Sequence, residues 1–218
     1  MGSDRIVHVI LALVPLILSL TVHEYSHAWS AWKLGDDTAS RMGRMTLNPI
    51  AHIDPFGTLL LPALMLWSGG FVFGWAKPVP IDPSRFRRDV SQGAGMAVTA
   101  SAGPLSNLVL AVLGTVGLGI YFRYSTAEPG ADAVVALLSQ IVLLNVTLAL
   151  FNLIPIPPLD GSRVAAWLMP YRLRNQWHAV EQFAPFLLIA IFFFGGRLIA
   201  GPSRFVIGLL ESLLRAIA

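Results

Sequence analysis

The three stretches of this chain that read as long helices, Ile6 to Val22, Gly93 to Phe122 and Ala133 to Ile154, contain no Asp, Glu, Lys or Arg. At 1.5 Å per residue a helix over the shortest of them covers about 25 Å, most of a hydrocarbon core. In lipid every backbone polar group must be satisfied internally, so runs of this length and period fold as helices. Only 12% of the 218 residues are charged, against 55% hydrophobic, and the mean hydropathy is +0.67. Soluble domains average about 25% charged residues. The expected fold is therefore an all-α polytopic membrane protein, a helical transmembrane bundle. The whole of 1–218 reads as a single domain. The net charge of +3 sits in loops between apolar runs, which reads as a topology signal and excludes nucleic acid as a partner.

The polar chemistry begins where the first run ends. Val22-His23-Glu24-Tyr25-Ser26-His27 carries the pattern H-E-x-x-H. On a helix, residues four apart lie about 40° from each other around the axis, so His23 and His27 project from one face and can grip one Zn²⁺. Glu24 is about 100° round from His23, placed to serve as a catalytic base without being a ligand. With no cysteine in the chain, zinc must be held by imidazole and carboxylate. Ionisable groups beside an apolar span are costly and mark function. The run from Ile6 lacks a strongly basic start and a small-residue cleavage site, so it reads as a retained span and not as a signal peptide.

Further along, the first helix is expected to stop at Gly35-Asp36-Asp37. Thr38 to Pro55 reads as loop or short strand, and Phe56 to Phe73 as an apolar stretch broken by Pro62 and Ser68-Gly69-Gly70. Phe71 to Ile81, F-V-F-G-W-A-K-P-V-P-I, reads as an edge-like strand. Together these predict a short membrane-associated strand or re-entrant region at about 38–83. Ala184 to Ile199 reads as a further span, and Phe205 to Ile217 as a last spanning or interfacial stretch. His52 and His178 fall in polar loops, where solvated histidine is expected.

Asp160 is the candidate third ligand, and topology tests it. If Phe56 to Phe73 crosses the membrane, two further crossings leave Asp160 on the face opposite His23. If that stretch dips and returns, Asp160 arrives beside the His pair. Ahead of the last span, the dipping arrangement also gathers Lys33, Arg41, Arg44, Lys77, Arg85, Arg87, Arg88, Arg163, Arg172 and Arg174 on one face, leaving Arg5 and Arg123 on the other. The positive-inside rule then makes the ligand face cytoplasmic. Two His and one carboxylate leave a fourth position open, the catalytic pattern. A His–carboxylate relay of a transporter would use similar groups, but it would place them near the midplane of an inverted repeat, and no repeat is visible.

Three motifs in this order, H23-E-Y-S-H27, A102-G-P-L-S-N107 and F151-N-L-I-P-I-P-P-L-D-G161, resemble the site-2 protease family of intramembrane zinc metalloproteases. The likeness covers about Ile6 to Trp167, with a catalytic core at about 6–168. G43-R-M-T-L-N-P-I-A-H-I-D-P-F-G57 and G74-W-A-K-P-V-P80 resemble its small prokaryotic branch without PDZ or CBS domains. The resemblance implies an endopeptidase acting on single-span or other transmembrane protein substrates. It implies one Zn²⁺ per chain on His23, His27 and Asp160, with Glu24 as catalytic base. It implies substrate-side roles for Asn152 and Pro158, a place in the core or at the substrate for Asn107, and a multi-pass location in the prokaryotic plasma membrane. An unwound substrate could pair with Phe71 to Ile81 by strand addition.

Overall fold

The structure is a computed structural model and describes residues 2–67, 74–125 and 131–218. Residues 68–73, which hold the start of the strand-like stretch, and the turn at 126–130 lie outside the described residues. Eight α-helices are described: α1 (Gly2–Lys33), α2 (Thr38–Arg41), α3 (Leu61–Trp67), α4 (Gln92–Tyr124), α5 (Ala131–Asn152), α6 (Gly161–Leu168), α7 (Arg174–Gln182) and α8 (Ala184–Ile217). Among the described residues, two helices, Gln92–Tyr124 and Ala133–Asn152, are long and apolar enough to cross a membrane. The bent pair in α8 makes a third if it is one span.

α1 stops where the sequence says it should. Gly35, at φ +110°, donates to the Trp32 carbonyl, and the next amide, Asp36, reaches back to Ala31. That is the Schellman pattern, which needs a left-handed residue that glycine supplies without strain. The Asp36 side chain, 1% exposed, then accepts from the Thr38 and Asp82 amides. It ties the end of α1 to the segment that leads into α4.

Cross-helix contacts set the direction of each span. His27 meets Thr99, His23 meets Asn107, and Ser19 meets Asn145, which also meets Asn107. As α1 advances, its partners on α4 fall in number, so the two helices are antiparallel. The start of α4 therefore lies on the face where α1 ends. Gly114 of α4 sits against Ile141 and Val142, which makes α5 antiparallel to α4 and returns the chain to that same face. The 38–83 region does not cross. It enters through a π-helical turn at Pro55–Leu60, continues as α3 and comes back in extended form.

No strand occurs among the described residues, so the expected strand is corrected to an extended strap over 74–81. Pro78 and Pro80 have no N–H, and the neighbouring amides are spent elsewhere: Trp75 on the Gly57 carbonyl, Lys77 on the His52 carbonyl and Val79 on Glu24. A sheet ladder needs those donors. His52 is corrected as well. It is 2% exposed, with Nε2 donating to the Thr46 carbonyl, so it is part of the packing beneath the strap and is not solvated.

The two expected C-terminal stretches form one helix, α8, bent by 60° between Ala184–Ile191 and Phe194–Ile217. Ile191 and Ile199 pack with Ile154 and Leu159 near the end of α5. Leu210 packs with Ala111 and Val146, and Ile217 lies against Gly119. Phe194–Ile217 thus runs from the ligand face to the opposite one, about 36 Å of helix. The two segments are long and apolar enough to cross only when taken together, and the expected stretch Ala184 to Ile199 is the first part of that candidate span.

The chain has no cysteine, so single cysteines report sidedness directly. In oriented membranes, Ser40→Cys and Arg88→Cys should react with an impermeant maleimide from one face, and Ser125→Cys from the other. Labelling of Ser40→Cys and Arg88→Cys from opposite faces would mean that 56–73 crosses the bilayer.

Candidate metal centre

His23 and His27 sit one turn apart on α1, and α4 lies against them. Their Nε2 atoms are 3.0 Å apart. Asp160 Oδ2 is 3.1 Å from the first and 3.3 Å from the second. Each imidazole is anchored through its other nitrogen. His23 Nδ1 donates to Asn107 Oδ1 at 2.6 Å, and His27 Nδ1 donates to the Thr99 carbonyl at 2.7 Å. Because those partners accept, the protons sit on Nδ1 and both Nε2 atoms present lone pairs. Asp160 Oδ2 is buried and makes no hydrogen bond. Three electron pairs therefore face one point.

A metal cation at that point relieves the arrangement. Tetrahedral zinc with bonds of about 2.0–2.1 Å needs ligand atoms about 3.3–3.4 Å apart, close to the spacing present. The helix backbone is shaped for the same purpose. A Cβ on Gly103 would lie 2.5 Å from His27 Nε2 and 2.6 Å from His23 Nε2. Any side chain there would displace the imidazole tips. Asp160 reaches the cluster because Gly161 follows it; a Cβ at 161 would run into the Leu153 and Ile154 carbonyls. Asp160 occupies the residue before α6 but makes no capping hydrogen bond, so its carboxylate is not divided between capping and the cluster.

Glu24 is 8% exposed, and its Oε2 accepts the Val79 amide at 2.8 Å. The strap that carries Val79 is held by Arg44, whose Nη2 donates to the Lys77 carbonyl at 2.8 Å. Asn107 is fully buried. Its oxygen goes to His23 and its nitrogen to Asn145. Asn152 closes α5, half-buried, with Nδ2 on the Leu148 carbonyl. Pro158 is exposed in the loop that leads to Asp160. Sequence reasoning missed Asn145, Thr99, Val79 and Arg44. Asn145 was detectable as an amide in an apolar span. The Thr99 and Val79 contributions are backbone groups, which carry no sequence signal.

The chain resembles known proteins. The model of Peptidase family M50 matches residues 119–194. "Putative zinc metalloprotease YwhC" of Bacillus subtilis is 39% identical over 199 residues, which is 87% of this chain and 85% of that protein. "Putative zinc metalloprotease Rip2" of Mycolicibacterium smegmatis is 34% identical over 152 residues, 70% of this chain and 54% of its own length. The protein of the same name from Mycobacterium tuberculosis (strain H37Rv) is 26% identical over 191 residues, 84% of this chain and 66% of that one. No solved structure matches.

Gly103→Ala separates metal binding from folding. Alanine is favoured over glycine in a helix interior by about 0.8–1.0 kcal/mol, but this methyl group would occupy the space of the imidazole tips. The variant should stay folded while its zinc affinity falls by at least about tenfold, as read by chelator competition. Wild-type affinity would show that the ligands lie elsewhere.

Proposed function

The chain belongs to peptidase family M50, the site-2 protease family, and is an integral-membrane zinc metalloprotease; from that premise we propose that it hydrolyses peptide bonds within or near transmembrane segments of other membrane proteins. The observation that carries this reading is the depth of the cluster. His23 lies abreast of Asn107, about 22 Å along α4 from Gln92, in a helix that can span the bilayer. A site at this depth suits a peptide bond carried by a membrane-embedded substrate.

In this reading His23, His27 and Asp160 hold one Zn²⁺, and Glu24 is the catalytic base. Zinc, when bound, supplies Lewis acidity towards a carbonyl oxygen and towards water. Glu24 takes the proton of the attacking water and returns it to the leaving amine. The Val79 amide holds Oε2, which leaves Oε1 to move that proton. Asn107 serves His23, since both ends of its side chain are taken. Asn152, whose oxygen is not needed by Leu148, and the exposed Pro158 contact the substrate. A helical substrate hides its carbonyls in its own hydrogen bonds, so it must unwind locally, and Gly, Pro or Asn near the cut favours that. The ten basic loop residues on the ligand face support a cytoplasmic active site in the plasma membrane. The whole of 1–218 acts as one domain, with the chemistry confined to about 6–168.

Glu24→Gln tests the assignment. Wild type and variant, purified in detergent, should each hold one zinc per chain by elemental analysis. Only wild type should cut a panel of single-span substrates, the variant being slower by about 10²–10⁴-fold. Equal cleavage by both removes Glu24 from the mechanism, and no zinc in folded wild type removes the metalloprotease.

A further inference from the structure

We infer that Asn145, on α5, is a positioning residue that acts through Asn107 to fix which nitrogen of His23 carries the proton. The inference rests on the reading of His23 as a zinc ligand. Asn145 is 0% exposed, and its hydrogen bonds go to Asn107, Ser19 and Ile141 and not to the cluster. Its Nδ2 lies 2.9 Å from the Ile141 carbonyl and 2.9 Å from Ser19 Oγ, and its Oδ1 accepts from Asn107 Nδ2 at 2.7 Å.

A carboxamide has a donor end and an acceptor end that can exchange by rotation, so each buried amide could in principle sit either way. Here one neighbour cannot exchange. The Ile141 carbonyl only accepts, so the end of Asn145 that faces it must be the NH₂. Rotated the other way, two oxygens would face each other about 2.9 Å apart in a low-dielectric interior. With the NH₂ on Ile141, Asn145 Oδ1 faces Asn107 and must be met by a donor. Asn107 therefore turns its NH₂ to α5 and its oxygen to α1. His23 Nδ1 must then carry hydrogen to satisfy that oxygen, and Nε2 is left as a lone pair.

Direction thus passes from a backbone carbonyl on α5 through two buried side chains to the imidazole. His27 reaches the same state more simply, because Thr99 offers it a backbone carbonyl directly. His23 Nδ1 meets the Asn107 side chain instead and takes its direction from the α5 backbone at second hand. Without Asn145, Asn107 is free to turn its NH₂ to His23. The imidazole would then accept at Nδ1 and carry its proton on Nε2, pointed at the place where a cation must bind.

The test uses the full chain in detergent and measures zinc affinity by chelator competition in wild type, Asn145→Leu, His23→Ala and Thr115→Ala. Thr115 is also buried and gives a helix-backbone hydrogen bond, so it reports the generic cost of losing one. Asn145→Leu should weaken zinc binding by about 10–100-fold, while Thr115→Ala stays within about twofold. In zinc-free protein labelled with ¹⁵N-histidine, His23 should be protonated on Nδ1 in wild type and a mixture of tautomers in Asn145→Leu. Affinity within about twofold for Asn145→Leu overturns the inference, provided His23→Ala has lost zinc. If His23→Ala binds like wild type, the ligand assignment fails and the inference with it. Should Asn145→Leu not fold, the wild-type spectrum decides alone, and a proton on Nε2 of His23 overturns the inference.

Discussion

Two imidazole nitrogens and a carboxylate oxygen within 3.0–3.3 Å of one another repel unless a cation sits among them, and the bundle is arranged to keep them there. α1 supplies the two rings one turn apart. α4 supplies their acceptors and, at Gly103, a stretch of backbone with no side chain. The re-entrant region returns the chain to the face from which α4 starts. α5 then brings Asp160 back to the rings. Removing any one of these leaves uncompensated lone pairs inside an apolar bundle, where each unmet polar group costs on the order of 1–3 kcal/mol.

Glu24 is held by a different kind of support. The strap at 74–81 is not a regular element, yet alternate main-chain donors along it, those of Trp75, Lys77 and Val79, are committed. Ala76 packs on Leu16 and Leu20, and Val79 packs on Ala28 and Ala39. The strap therefore follows α1 along the turn that bears the H-E-x-x-H, and Val79 arrives beside Glu24 as a consequence of that packing. Arg44 and the His52 carbonyl hold it from the outer side. This explains why His52, in a polar stretch of sequence, is among the most buried side chains described: the strap and its supporting loop close over it.

The long apolar helices, the helix stop at Gly35 and the re-entrant topology were legible because each depends on something a sequence displays. These are run length, a glycine followed by two aspartates, and the placement of basic residues. The meeting of Asp160 with the His pair was legible only through parity, since nothing local links position 160 to position 23. The strand was misread because the alternation in Phe71 to Ile81 was weighed without asking where the amides of a proline-broken segment would go. The two C-terminal stretches were split at Gly201-Pro202, though α8 runs through both residues and bends ten residues earlier. A glycine–proline pair is a breaker in water, but in an apolar bundle a neighbouring helix can hold the turn together. Asn145 shows the deepest limit. Its residue type hints at importance, but the direction of its hydrogen bonds depends on the Ile141 carbonyl, a group every residue possesses.

The unmet polar atoms give the arrangement its sense. Of the buried side-chain atoms without a partner, Arg44 Nε, His52 Nδ1 and Trp177 Nε1 lie in the loops and the short α7 helix outside the spanning helices. The other two, Asp160 Oδ2 and Thr99 Oγ1, flank the cluster, one as its carboxylate and one on the residue whose carbonyl holds His27. Around them the same bundle satisfies Asn107 completely and ties Asn145 to three partners, so a general shortage of partners does not account for the gap. A structure that pairs its amides with such care and leaves a carboxylate oxygen bare between two imidazole lone pairs has reserved that oxygen for a ligand that is not a hydrogen-bond donor. A divalent cation of zinc's size meets that condition, and the backbone at Gly103 supplies the room.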